Sequence, residues 1–550
     1  MEKRKKNKGT DYLVQGSILA TAGIFVRMIG LMYRVPINNI LGDEGNGYYN
    51  IAYSLYNILL MISSFGLPLA ISKLVSTQMV LGRKKNAIKI FKSAVLFALV
   101  VGSIVSILTF VFAQSFANIW GSAPSVYALK VLGPTLFVMA ILGAIRGYFQ
   151  GLGTMMPTAF SQILEGIINA IVSVVAANIF YDIGVEKAHQ TGNASLGPAY
   201  GAAGSTLGTF VSAFIALLFL GFVLYAYRGV LKKQQRQDTT GYEDSYQTIY
   251  KVLLITIVPI VLSTVTYNIN ELLDAGIFNN FMKSKGFEES VISAFRGVFY
   301  SKAKLLTNVP LIFASCLIPS MIPSLSEAMV NKNKKLARGK IQMSMRYTLV
   351  VTIPCAVGLG VLASPVLQLL FKDSSKLAAN LLILSCVTLV FYSYSTIQNG
   401  ALQGINQLKV PVVNALIAIG IHLVFLLLLL VGFNAEIYAI AIADFVFAIS
   451  MCVLNAKALK VSLRYKQESI KTFVIPGICS LIMGIVVFVV YKVCILLIKS
   501  NAVSTIFAIL IGAVVYAVLL LKLKGITKKE LLGIPKGYLV VNLAERLHLF

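Results

Sequence analysis

The feature that most constrains this chain is a succession of long apolar runs separated by short polar connections. A helix rises about 1.5 Å per residue and the hydrocarbon core of a bilayer is about 30 Å thick, so roughly 20 apolar residues make one crossing. Fourteen stretches meet that length: 12–40, 47–80, 87–113, 126–150, 157–180, 199–226, 249–282, 292–327, 341–363, 377–402, 410–432, 436–459, 472–498 and 502–522. Runs 12–40, 47–80, 249–282 and 292–327 exceed a single crossing, and tilt, kinks or extension into water absorb the surplus. The expected fold is therefore an all-α integral membrane protein of about 14 transmembrane helices. No connection is long enough to hold a folded soluble domain.

Composition enters as a test of that reading. Hydrophobic residues make up 57% of the chain and charged residues 13%, against about 25% charged in soluble proteins. The net charge of +27 raises the question of nucleic acid, but the basic residues lie between apolar runs, as positive-inside topology requires. The connections agree. Arg83, Lys84, Lys85 and Lys89 lie in the second; Arg228, Lys232, Lys233 and Arg236 in the sixth; Lys332, Lys334, Lys335, Arg338 and Lys340 in the eighth. The twelfth holds Lys457, Lys460, Arg464 and Lys466, while 41–46 and 114–125 carry no lysine or arginine. This alternation predicts both termini in the cytoplasm of a bacterial cell. The first run is too long for a signal-peptide core and is expected to stay as a spanning helix.

Two sets of residues recur about 250 positions apart. Gly147-Tyr148-Phe149-Gln150-Gly151 followed by Pro157 matches Gly400-Ala401-Leu402-Gln403-Gly404 followed by Pro411. Pro68 with Ser72, then Lys84-Lys85, matches Pro319 with Ser324, then Lys334-Lys335. An even number of helices per half keeps both repeats in one orientation, as in parallel-repeat transporters. The predicted organisation is a cytoplasmic N-terminus 1–11, a six-helix lobe 12–226, a basic linker 227–248, a second six-helix lobe 249–460, two added helices within 461–524 and a cytoplasmic tail 525–550. Leu531, Leu532, Leu539, Leu543 and Leu547 could give that tail an apolar side.

Charges inside apolar runs mark candidate function, because a charge facing lipid is costly. Arg27 and Arg34 are seven residues apart, on one face of the first run. Asn268, Glu271 and Asp274, spaced by three, share a face of the seventh. Lys302 and Lys304 lie in the eighth, and Glu165 and Asp444 in the fifth and twelfth. Lys73 and Arg146 sit near inner ends, where snorkelling explains them. The span-seven and span-eight charges either form ion pairs, Glu271 or Asp274 with Lys302 or Lys304, or line a water-filled path. The cations Arg27, Arg34, Lys302 and Lys304 outnumber Glu271 and Asp274, so a path would favour an anion, and the planar fork of arginine suits phosphate. Glu271, Asp274 and Asn268 are candidates for binding a coupling ion or balancing charge.

Several chemistries lack their signatures. There is no G-x-x-x-x-G-K-[ST] loop, H-E-x-x-H or G-x-S-x-G. The six cysteines fall in apolar stretches without close pairs, and His189, His422 and His548 are far apart, so no metal site is expected and no cofactor. A transporter rather than an enzyme is expected.

These residues resemble the multidrug/oligosaccharidyl-lipid/polysaccharide (MOP) exporter superfamily, in its MurJ-, SpoVB- and YtgP-like branch. The resemblance is carried by Arg27-Met28-Ile29-Gly30-Leu31-Met32-Tyr33-Arg34, Asn39-Ile40-Leu41-Gly42, Gly66-Leu67-Pro68 with Ser72-Lys73, Pro319 to Pro323-Ser324-Leu325-Ser326 and the Gln-Gly helix ends. It implies two six-helix lobes around a central cavity, with helices thirteen and fourteen bordering a groove for a lipid tail. It also implies a substrate of the polyprenyl-diphosphate-sugar class, lipid II or a related polysaccharide precursor, flipped across the cytoplasmic membrane by alternating access. The family's cavity cations fall on Arg27 and, with a one-residue shift, on Arg34; the helix-eight cation falls on Lys302 or Lys304. Energy would come from H+, Na+ or the membrane potential. Expected partners are the lipid-linked anion, membrane lipid and cell-wall synthesis proteins, not nucleic acid. The alternatives are a cation-coupled multidrug antiporter of the same superfamily and a non-transporting scaffold of an envelope-synthesis complex.

Overall fold

A computed structural model describes residues 2–526 and residues 528, 538, 541, 542 and 545. The described residues are helical, without a β-strand, as the apolar periodicity requires. Eleven helices among them are long and apolar enough to cross a membrane, and the chain is a multi-pass membrane protein. One of the eleven, Phe25–Val80, is 56 residues long and contains a break at Gly42, against about 20 residues for one crossing. The chain divides into two compact units, Met1–Val298 and Phe299–Phe550.

The first unit contains α1 (Glu2–Leu60), α2 (Gly66–Val80), α3 (Lys84–Val111), α4 (Ala113–Ile119), α5 (Val126–Gly151), α6 (Met156–Thr191), α7 (Leu196–Arg236), α8 (Tyr246–Asn268), α9 (Asn270–Ser284) and α10 (Glu289–Gly297). The loop expected at 41–46 does not form. Instead α1 passes through an elbow at Gly42, whose φ of 62° and ψ of −176° interrupt the helix. Glycine enters that region without the Cβ penalty of other residues. The Asn46 amide donates to the carbonyls of Asn38 (3.1 Å) and Gly42 (2.6 Å), so oxygens released by the elbow find a donor. A π-helical turn, Met61–Phe65, then leads into α2. The seventh expected span is likewise two helices, α8 and α9, parted at Ile269.

Small residues bring helices close. Gly143, Gly147 and Gly151 recur every fourth position on α5 and face α2; a Cβ on Gly147 would lie 2.7 Å from Pro68 Cα, and one on Gly151 2.7 Å from Val75 Cβ. Without hydrophobic drive between helices in lipid, such close packing is what holds them.

The linker is more structured than its polar composition suggests. Helix α7 continues to Arg236, so only the short segment before Tyr246 leaves helical geometry. That segment clasps the start of α3. Asp238 accepts the Lys85 backbone N–H at 2.7 Å. Asn86 and Asp244 bond reciprocally, at 2.6 and 2.9 Å. Lys89 pairs with Glu243 at 3.1 Å, and the Arg83 guanidinium lies 3.6 Å from the centre of the Tyr242 ring. Hydrogen bonds from the Thr240 hydroxyl and from the N–H groups of Lys85 and Thr240 hold the Asp238 carboxyl down to about 2, so it stays charged through the neutral range.

The second unit contains α11 (Lys304–Val330), α12 (Lys334–Val361), α13 (Ala363–Phe371), α14 (Lys376–Gly404), α15 (Lys409–Leu427), α16 (Glu436–Leu463), α17 (Ile475–Ile498) and α18 (Asn501–Lys522). A π-helical turn over Val298–Ala303 precedes α11. The packing device of the first unit recurs: a Cβ on Gly400 of α14 would meet Ile318 Cγ2 at 3.0 Å, and one on Gly404 would meet Leu325 Cβ at 3.0 Å, both on α11. Helices α17 and α18 pack on each other, and α17 on α12. The Tyr516 hydroxyl donates to the Val350 carbonyl at 2.7 Å, and the buried Arg346 donates to the Gly525 carbonyl through Nε at 3.1 Å and through Nη2. Leu531, Leu532, Leu539, Leu543 and Leu547, the apolar side expected for the tail, lie outside the described residues.

Candidate functional site

The two arginines expected on one face of the first run occupy the limb of α1 before the elbow. Arg27 is exposed. Arg34 is half-buried and folds over the limb beyond the elbow: its guanidinium lies 4.6 Å from the Tyr49 ring centre and 5.3 Å from that of Tyr53. Tyr49, Tyr53 and Tyr56 form a ladder along that limb, with neighbouring centroids 5.2 and 5.6 Å apart. The elbow turns the chain so that one helix presents the cation and the ring faces that receive it. Cation–π attraction holds the group without neutralising it. Neither Arg27 nor Arg34 has a carboxylate partner among the described residues.

A polar stripe on α6 runs beside this pair. Ser161, Glu165, Asn169 and Ser173 are spaced by four, on one helical face. The Asn169 amide donates to the Tyr33 hydroxyl at 3.0 Å, and Ser173 donates to Asn169 at 2.8 Å. Glu165 accepts from Arg146 at 2.7 Å, and Arg146 Nε also donates to Ser161 at 3.0 Å. The snorkelling explanation of Arg146 is thereby replaced: it is buried and balances Glu165. Charge cancels there, whereas Arg27 and Arg34 keep theirs.

The acids of the seventh run sit just past the Ile269 break. Glu271 is half-buried and accepts the Ser54 hydroxyl at 2.7 Å. Asp274 is fully buried. Asn268 is exposed, and its amide returns to the Thr264 carbonyl at 2.8 Å, a local bond that any helical asparagine can make. Broken helices at membrane depth free backbone groups and are tolerated where protein or a hydrated cavity satisfies them.

In the second unit Lys302 and Lys304 each have an acidic partner. Lys302, in the π-helical turn, pairs with Asp373 at 2.6 Å; their side chains are 8% and 11% exposed. Lys304 pairs with Asp444 at 2.7 Å, with 30% of its own side chain exposed, and lies 4.7 Å from the Tyr300 ring centre. Burial raises the Asp373 carboxyl, but hydrogen bonds from Lys302 and Ser375 outweigh it and hold the group below its ordinary value. Its contribution to stability is therefore present at neutral pH and fades as pH falls through the lowered value. Replacing Asp373 by Ala takes from a buried ammonium its carboxylate at 2.6 Å and is expected to cost about 3–5 kcal/mol. The double variant Lys302→Met with Asp373→Leu should recover most of that in a detergent melt, and an unshifted melt for Asp373→Ala alone would show the pair to be idle.

Sequence reading passed over Tyr49, Tyr53, Ser54, Asn169, Asp373 and the buried Arg296 and Arg346. The tyrosine spacing was available as a signal. Asp373 carried none, because 71 positions separate it from Lys302.

Chemically, the first unit offers a planar cation held by aromatic rings and a second exposed cation on the same helix limb. That set can receive the oxygens of a phosphate or diphosphate. A sequence profile for polysaccharide biosynthesis proteins matches residues 13–329. The lipid II flippase MurJ of Bacillus subtilis is 26% identical over 425 residues, 75% of this chain and 76% of that protein. Stage V sporulation protein B of the same organism is 26% identical over 523 residues, 94% of this chain and 96% of that protein. Among solved structures, the inward closed conformation of a lipid II flippase MurJ aligns with a TM-score of 0.64 at 17% identity, over 91% of this chain and 97% of that one. An inward-facing multidrug resistance MATE family transporter of the MOP superfamily aligns at 0.58 and 16% identity, over 80% of this chain and 96% of that one. The two structural likenesses are of fold.

Proposed function

The chain belongs to the polysaccharide biosynthesis protein family, and from that premise we propose that it is a flippase for a polyprenyl-diphosphate-linked sugar, lipid II or a related precursor. The observation that carries this reading is Arg34: a guanidinium within a spanning limb, seated on tyrosine rings and left without a carboxylate. A cation kept at that depth uncompensated is prepared for an anionic ligand. Arg27 supplies a second charge on the same limb, and Lys304, with its exposed side, is proposed as a further contact for the head. Lys302 is assigned to holding Asp373. The diphosphate head travels through the protein while the polyprenyl tail remains in lipid.

The proposed organisation is two six-helix lobes, 12–226 and 249–460, plus two added helices, fourteen crossings in all, with both termini in the cytoplasm. The lobes rock about the cavity and expose it to each side in turn. Moving one charge through 100 mV is worth about 2.3 kcal/mol, so the membrane potential, or a gradient of H+ or Na+ acting through Glu271 and Asp274, can drive the return. No covalent step is assigned to the chain, and cell-wall synthesis proteins are its expected neighbours.

The test is depletion in cells that rely on this protein, followed by measurement of the lipid-linked precursor in each leaflet. Accumulation on the cytoplasmic side with depletion of the outer pool is expected. Unchanged outer-leaflet precursor would remove the flippase reading. Loss of resistance to cationic drugs without any change in precursor would instead favour the antiporter.

A further inference from the structure

Two helices of this chain begin alike but are completed differently. Helix α3 opens on Lys84 and Lys85, with Lys89 a turn later; α12 opens on Lys334 and Lys335, with Arg338 and Lys340 following. Positive charge in a first turn is opposed by the helix dipole, so neither cluster serves its own helix. In the first unit the chain supplies the missing anions itself: Asp238 on the Lys85 N–H, Glu243 on Lys89 and Asp244 on Asn86.

Among the described residues the second unit has no such strap. Asn333 caps α12 by accepting the Leu336 N–H at 3.0 Å. Arg338 and Lys340 turn to the backbone carbonyls of Leu463 (2.7 Å) and Ser324 (3.0 Å). Lys332, Lys334 and Lys335 are exposed, and none of the three has a carboxylate partner among the described residues. Beside them lies a groove of about 480 Å³ lined by Asn333, Lys335, Leu336, Gly339, Lys340 and Met343. Its floor is apolar: Leu336 and Met343 are each 46% exposed. Gly339, with no atom within 4 Å of the place a Cβ would take, leaves the groove open.

We propose that this groove seats an anionic phospholipid of the adjoining leaflet, its phosphate on Lys334 and Lys335 and the start of its acyl chains along Leu336 and Met343. A soluble anion would satisfy the lysines but leave the apolar floor in water. A zwitterionic lipid would cover the floor but not answer the charge. A basic rim with an apolar floor, at the place where α12 leaves the bilayer, fits a lipid that has both. The proposal requires only that α12 cross a membrane and does not depend on what is transported.

The experiment uses the full chain, reconstituted in phosphatidylcholine nanodiscs containing graded phosphatidylglycerol, with retained lipid counted by native mass spectrometry. One phosphatidylglycerol retained in preference to phosphatidylcholine is expected. Each lysine near a membrane surface is worth about a fivefold change in binding of an anionic lipid, so Lys334→Gln with Lys335→Gln should weaken retention by roughly 25-fold. Leu336→Ser should weaken it further, and Lys84→Gln with Lys85→Gln, at the helix start that the strap covers, should leave it unchanged. Equal retention by the wild type and the Lys334/Lys335 variant overturns the proposal, as does equal retention of phosphatidylcholine. Displacement by inorganic phosphate with no effect of Leu336→Ser would make it an anion site only. A gain in binding on removing residues 527–550 would show the groove to be covered by the chain's own tail. Either of these results also overturns the lipid proposal. Gel filtration of each variant checks that it remains folded.

Discussion

Replacing Arg34 by Ala is expected to reduce headgroup translocation by about 10- to 100-fold at matched protein levels, the equivalent of one lost charge-assisted hydrogen-bonding partner. The size follows from its position. Arg146 is balanced by Glu165, and Lys302 and Lys304 by Asp373 and Asp444. Arg34 has tyrosine rings 4.6 and 5.3 Å away and a hydrogen bond to Tyr33, but no carboxylate among the described residues. Removing it strands no buried acid, so the fold should persist and the loss should appear in transport. Arg34→Lys should recover only part of the rate, because an ammonium lacks the planar fork that meets two phosphate oxygens. Arg27→Ala should have a smaller effect in the same direction. Translocation assayed in reconstituted vesicles, with folded protein quantified beside it, decides the matter. A wild-type rate in Arg34→Ala would remove this residue from the pathway.

Gly47→Ala is expected to lose the folded protein almost entirely. A methyl group there would overlap the backbone carbonyl of Ser293 on α10, and one at Gly297 would overlap the Asp43 carbonyl on α1. Neither obstacle is a flexible side-chain end, so relief requires moving a helix. Overpacking a core commonly costs about 1–3 kcal/mol, and backbone overlap at two points of one helix crossing should lie at or above the top of that range. The two variants should fail in the same way, as low yield and a broadened gel-filtration profile in detergent. Gly221→Ala on α7, where nothing lies within 4 Å, should express normally. Normal yield from Gly47→Ala would mean that α1 and α10 do not approach as closely as described.

The elbow that makes Gly47 critical also shows where sequence reading stops. A break near 41–46 was readable from Gly42, Asp43 and Glu44, and the reading placed a loop there. In the structure two helical limbs meet directly at a break at Gly42, where Asn46 supplies a donor to the opened carbonyls. The Gly147–Gln150–Gly151 and Gly400–Gln403–Gly404 motifs were legible as a repeat. Their purpose, admitting Pro68 and Val75 on one side and Ile318 and Leu325 on the other, was not. In the site, Arg27, Arg34, Lys302 and Lys304 stood out because a charge in an apolar run stands out. Their partners did not, since Tyr49 and Tyr53 look like ordinary apolar residues of a spanning helix and Asp373 like a loop residue.

By itself the sequence determined that this chain lives in a bilayer and that cations lie along its spans. Both follow from transfer free energies that each residue carries wherever it sits. Which of those cations is cancelled and which stays available was decided only by tertiary structure. Pairing depends on distance between side chains remote in sequence, as with Lys302 and Asp373 at 2.6 Å or Arg146 and Glu165 at 2.7 Å. Electrostatic energy in a low-dielectric interior changes steeply over a few ångströms, so the packing of helices, and not their composition, sets the charge that a ligand meets.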